Sequence, residues 1–178
     1  AHVSMQHGVD HYGDSAMIHA LVDEALKALQ LPEDYVRPGD RVVLKPNWVK
    51  EHDERHPGPD QWEHVVTHPS VIEAVIRWVA KHLQGNGSIT ICDAPQTDSS
   101  FEKLSSYCGL EELIKQCRLE FPELKIDLLD LRPEEWLSVD GVTVSKKKLS
   151  GDPMGNTFVA LNDASEFFDF SGNGQLYG

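Results

Sequence analysis

Apolar residues recur along this chain in two periods. Between Ala16 and Leu31, the residues Ile18, Leu21, Val22, Ala25, Leu26 and Leu29 follow the i, i+3, i+4, i+7 spacing of an amphipathic helix. Asp14 or Ser15 can cap that helix, and Pro32 ends it. A second stripe, Val71, Ile72, Val75, Ile76, Val79 and Leu83, predicts a helix over Pro69–Leu83, with Gly85 as its stop. Other segments are short, apolar and rich in β-branched residues. Val42–Lys45, Ser88–Asp93 and Lys125–Leu131 read as strands, and Val3–Gln6 and Thr157–Leu161 as two further short ones. Phe101–Tyr107 and Leu110–Phe121 read as helical segments. Leu137–Val144 reads as a hairpin, with Asp140-Gly141 supplying the positive-φ turn. Lys50–Glu63 is polar, contains Pro57, Gly58 and Pro59, and reads as a long loop.

Strands alternating with helices predict an α/β fold. The expected architecture is a three-layer sandwich with a largely parallel sheet and an added antiparallel hairpin. Residues 1–178 read as a single domain. The last stretch, with Phe167, Phe168 and Phe170 close together, does not finish an element, and such a cluster needs a core to enter. It predicts the N-terminal part of a longer protein, or an oligomer, with these three rings contacting the missing region or a neighbouring subunit.

Composition narrows the class. The 178 residues are 40% hydrophobic and 25% charged, as in a globular protein, with no apolar run near bilayer length. Net charge is −13 and is evenly spread: residues 1–100 carry 8 basic and 15 acidic side chains, and residues 101–178 carry 8 and 14. This argues against nucleic acid or an anionic membrane as a partner. Cys92, Cys108 and Cys117 form no Cys-x-x-Cys, so reduced, buried thiols in a cytoplasmic protein are expected.

Three segments can carry chemistry. Lys45 and Asn47 lie just past a strand's carboxyl end, because Pro46 cannot donate to a central ladder. Lys45 would supply a point charge for phosphate or carboxylate and Asn47 would orient it; the alternative is a strand-end turn with Lys45 in solvent. Thr67-His68-Pro69-Ser70 opens the strongest helix. Its free N–H groups can cradle an anion, with Thr67 and Ser70 as ligand contacts and His68 moving a proton; the alternative is simple capping. Asp93 also follows a strand end and can serve as a general base, whereas Cys92 should face the other side of that strand.

Other features point less sharply. All nine histidines lie between His2 and His82, and His7/His11, His52/His56 and His64/His68 have i, i+4 spacing. A neighbouring Pro or Gly removes each pair from a helix, so no metal ligand is assigned. Lys146-Lys147-Lys148 reads as a solvated edge, or as an electrostatic contact for an acidic ligand. Gly85-Asn86-Gly87 lies on the wrong side of its strand for a dinucleotide fingerprint, and there is no Walker-type loop. No cofactor is specified.

Val43-Leu44-Lys45-Pro46-Asn47, Thr67-His68-Pro69-Ser70-Val71-Ile72-Glu73-Ala74 and Ile89-Thr90-Ile91-Cys92-Asp93-Ala94-Pro95 together resemble the family catalogued as domain of unknown function 362. The likeness covers about residues 15–110. Some relatives carry ferredoxin-type cysteine clusters. This chain has none, so electron transfer is not implied. The later Pro-Lys-x-Lys-Thr-His segment of relatives is absent, which fits an N-terminal portion. The expectation is an enzyme domain that binds an anionic small molecule at its strand ends, with Lys45, Asn47, Thr67 and Ser70 as contacts and His68 and Asp93 handling protons. The alternatives are a non-catalytic binding or scaffold module and a histidine-based metal-binding domain.

Overall fold

The structure is a computed structural model and describes residues 3–9, 11–53, 55–56, 61–140, 142–155, 157 and 159–165. Phe167, Phe168, Phe170 and Gly141 lie outside the described residues, as does the middle of the loop after Lys50.

Helix α1 spans Ser15–Ala28, and its N-cap is Asp14, whose Oδ1 accepts from Met17 N–H at 3.0 Å. It ends before the expected Leu31 because Gln30 turns left-handed at φ 50°. Strand β1 is Arg41–Leu44, helix α2 Pro69–Leu83 and strand β2 Ser88–Asp93. Then come α3 (Phe101–Tyr107), α4 (Leu110–Glu120) and β3 (Lys125–Asp130). The hairpin is longer than expected, β4 being Glu134–Val139 and β5 Val142–Lys148, with an irregularity between Leu137 and Ser138.

Strands β1, β2 and β3 form one parallel sheet in that order, and β4 and β5 form a separate antiparallel pair. The α/β class, the parallel sheet and the added hairpin are as expected. Two right-handed crossovers that advance in the same direction place their helices on one face. In agreement, α2 packs on β2, α4 packs on β3, and the two helices pack on each other, with α1 outside against α2. The opposite face presents the row Val43, Thr90 and Asp127, with Val43 65% exposed.

The core lies between that helical layer and the sheet. Ile72, Ile76, Val79 and Leu83 of α2 meet Ile89, Ile91 and Ile126 of the sheet and Leu110, Ile114 and Cys117 of α4. Each such aliphatic side chain contributes ~1.5–3 kcal/mol by leaving water. All three thiols are buried, and burial pushes the Cys117 thiol up to about 11.

Two expected strands do not form. Val3–Gln6 is irregular, with Val3 84% and Met5 86% exposed, and no strand among the described residues pairs with it. The described residues of Thr157–Leu161 are also irregular and lead into a 3-10 turn at Asn162–Ala164. The long loop after Lys50 contains a 3-10 turn at Gln61–His64 and returns to pair Val66 with Trp48. No helix among the described residues is long and apolar enough to cross a membrane.

Gly85-Asn86-Gly87 has a structural use. Gly39 N–H donates to Asn86 O at 2.7 Å and Ser88 N–H to Asp40 O at 3.0 Å, which aligns the starts of β1 and β2. Gly87 sits at φ +141°, and a Cβ there would lie 2.5 Å from Asp40 O and 2.9 Å from a Leu83 methyl. Gly87→Ala should therefore lower stability by ~2–4 kcal/mol, through backbone strain plus a clash with a fixed carbonyl. Thermal or urea denaturation checks this; an unchanged midpoint would contradict the close approach.

Candidate functional site

The carboxyl ends of the three parallel strands each lead into a loop, and one buried carboxylate joins the first two. Asp93, the last residue of β2, is 5% exposed. Its Oδ2 accepts from Trp48 N–H at 2.8 Å, and its Oδ1 accepts from Ala94 N–H at 2.8 Å. Lys45 reaches the same Oδ1 at 3.0 Å while its own side chain stays 65% exposed. Both oxygens are thus committed to donors. Asp93 ties the chain after β1 to the end of β2 and holds the Lys45 ammonium at the surface. Three of its roughly four lone-pair sites are thereby taken, which leaves one, on a nearly buried oxygen, for a proton.

Past Pro46, the chain pairs with the segment that enters α2. Asn47 N–H donates to Thr67 Oγ1 at 3.0 Å, and Thr67 N–H donates to Asn47 O at 2.9 Å. Lys45, Asn47 and Thr67 therefore line one pocket of about 360 Å3, floored by Val71, Ile72 and Val75 of α2. Sequence spacing alone could not show that these three residues share a wall.

His68 and Ser70 have a different setting. His68 is the N-cap of α2, and its Nδ1 accepts from Ser70 N–H at 3.2 Å. Pro69 has no N–H, and Val71 and Ile72 donate to His68 O at 3.0 and 3.3 Å. The first-turn donors expected to cradle an anion are thus occupied within the chain. The His68 ring lies between Tyr12 (centroids 4.0 Å apart, 6° between planes) and Trp62 (5.3 Å, 25°). Among the described residues no contact joins it to Lys45 or Asp93.

An acceptor role at Nδ1 requires the ring to be neutral with its proton on Nε2. Burial lowers the His68 pKa below the ordinary 6.5, and Glu63, 3.8 Å from Nε2, offsets part of that. A pKa lowered by folding means that the unfolded chain binds the proton more tightly. The contribution of His68 to stability is therefore complete above pH 6.5 and is lost as the pH falls from there through the folded value. Wild-type protein should lose more stability between neutral pH and pH ~5 than His68→Asn, which can cap but does not titrate. Denaturant midpoints across that range check this, and identical slopes would contradict it.

Arg132, just past β3, was not evident as a site residue. Its guanidinium is 3% exposed and binds Asp130 Oδ2 at 2.7 Å, Glu135 Oε2 at 3.1 Å, Gln96 O at 2.6 Å and Ser99 O at 2.8 Å. Burial alone would lower its pKa, but hydrogen bonds to Asp130 and Glu135 outweigh that and hold it charged. Arg132-Pro133 repeats the punctuation of Lys45-Pro46, a cation and then a proline past a strand end. That repetition was the available signal. The loops after β1 and β2 are joined again by Lys50 to Asp98 Oδ2 at 2.9 Å and by Ser100 N–H to Glu51 Oε2 at 3.2 Å.

His56 and His64 have neighbouring rings, 5.0 Å apart, and His56 Nδ1 lies 2.6 Å from Asp53 Oδ2. Among the described residues no three His, Cys, Asp or Glu side chains converge as metal ligands.

A family model described as "Domain of unknown function (DUF362)" matches residues 42–154. No curated protein and no solved structure matches the chain. The matched span runs from β1 past the hairpin and contains Lys45, Asn47, Thr67, His68, Ser70, Asp93 and Arg132. It begins after α1 and extends beyond the helices that follow β2, so it is placed later than the three motifs alone suggested. With well over half of its length inside that match, the chain belongs to the DUF362 family.

Proposed function

We propose that this protein binds an anionic small molecule, bearing phosphate or carboxylate, at the strand-end pocket lined by Lys45, Asn47 and Thr67. One observation carries the reading: the Lys45 ammonium is anchored 3.0 Å from a buried carboxylate yet remains 65% exposed at the rim of that pocket. A free surface lysine loses rotamer freedom when it takes a ligand, and the Asp93 anchor reduces that loss in advance. An ammonium has three donors; Asp93 takes one and Pro46 O, at 3.5 Å, a second, which leaves one for an incoming oxygen. Asn47 is exposed beside it and can add a side-chain amide.

A second reading, a binding module without chemistry, is favoured by a separate observation. Both proton-handling candidates are engaged, Asp93 by three donors and His68 Nδ1 by Ser70 N–H. Asp93 has one of roughly four lone-pair sites left in a nearly buried carboxylate, and His68 can take a proton at Nδ1 only if the Ser70 bond is displaced. Ser70 joins the ligand contacts only in that case.

Titration with inorganic phosphate and with acetate, followed through the Asn47 and Thr67 amide resonances, tests the binding. Lys45→Ala should weaken it by about tenfold or more, the worth of one hydrogen bond to a charged group, with the fold retained. Unchanged affinity in that variant would refute Lys45 as the anion contact.

A further inference from the structure

A larger cleft lies between the strand-end loops and the hairpin, enclosing about 640 Å3, within the range of small-molecule sites. One wall is formed by the loop after β1 and the start of α3, including Lys50, Ser100 and Lys103. The other is one face of the hairpin. The β4–β5 register sets Glu135 opposite Lys147 and Leu137 opposite Ser145, and all four line the cleft.

The lining holds equal numbers of lysines and carboxylates, but they are not equally occupied. Asp98 is bonded to Lys50 at 2.9 Å, and Glu51 accepts from Ser100 N–H at 3.2 Å. Glu135 would ordinarily neutralise its cross-strand partner Lys147. It turns instead to the buried Arg132, at 3.1 Å, and accepts from Phe101 N–H at 3.4 Å. Lys103 and Lys147 form no ion pair among the described residues, although the chain carries a net charge of −13. The carboxylates of this cleft thus face inward to protein donors, and two ammoniums on opposite walls are left for solvent or a ligand. Leu137, 59% exposed, adds an apolar surface between them.

We propose that this cleft binds a small organic molecule with two anionic groups, one contacted by Lys103 of α3 and the other by Lys147 of β5. The site is separate from the Lys45 pocket and stands or falls independently of it. A bisphosphate and a polycarboxylate share the required chemistry. Sugar bisphosphate (fructose 1,6-bisphosphate) and citrate are therefore the two probes, titrated calorimetrically into the full chain at low ionic strength. At least one should bind, with an affinity that falls as salt is raised. Lys103→Gln with Lys147→Gln should weaken binding by about tenfold or more, Lys103→Arg with Lys147→Arg should retain it, and Lys45→Ala should leave it unchanged. Both lysines are exposed, so neither substitution removes a core contact. The proposal is overturned if neither probe binds, if the double Gln variant binds like wild type, or if only Lys45→Ala abolishes binding. The last result would place the anion in the strand-end pocket instead.

Discussion

The end of the sheet is organised around the buried carboxylate of Asp93. Burial of an ionised carboxylate is costly unless its oxygens are satisfied, and here two backbone amides and one ammonium satisfy them. The amide of Trp48 belongs to the chain that has just left β1, and the amide of Ala94 to the chain leaving β2. One side chain therefore fixes where two loops begin. The Trp48 side chain, 2% exposed, enters the core beside Phe101, so the same tether sets a large apolar residue in place.

Arg132 does the complementary work at the end of β3. Its donors satisfy carbonyls at Gln96 and Ser99 and carboxylates at Asp130 and Glu135, which joins the loop after β2 to the start of the hairpin. A two-stranded hairpin is marginal on its own, and β5 is exposed along its length. The hairpin is held by this network together with Trp136 N–H to Thr97 O at 2.7 Å. Asp93, Asp130 and Glu135 are thus spent on holding loops, as is Lys50, whereas Lys45, Lys103 and Lys147 remain exposed. An acidic chain presents cations at these two clefts for this reason.

Much of the fold was legible because its elements have clean periods. The α2 stripe at 3.6-residue spacing, the β-branched run in Ser88–Asp93 and the Asp-Gly hairpin signal each placed an element; of the stripe, Ile72, Ile76, Val79 and Leu83 are buried and Val71 and Val75 half-buried, while Ala74 and Ala80, outside it, are buried too. The strand order β1-β2-β3 was not legible, since tertiary packing sets it and local pattern does not. Val3–Gln6 has strand-like residues but no strand partner among the described residues, which local pattern cannot reveal. At the site, Lys45, Asn47 and Thr67 could be placed at one sheet edge from strand ends alone. The engagement of His68 and Ser70 with each other was not legible, because the side chain that caps a helix start depends on geometry. Arg132 is not legible as a site residue, because its partners lie on β3, on β4 and in the loop between β2 and α3.

The central claim is that Asp93 accepts from the Trp48 and Ala94 amides and thereby holds the strand-end loops and Lys45. Amide hydrogen exchange in wild-type protein and Asp93→Asn tests this most directly. A carboxamide offers one acceptor oxygen where the carboxylate offers two. At least one of the two amides should lose its acceptor and exchange about tenfold faster or more. Ile89 and Ile91, bonded in the sheet, should stay protected. Equal protection of Trp48 and Ala94 in the two proteins would contradict the account.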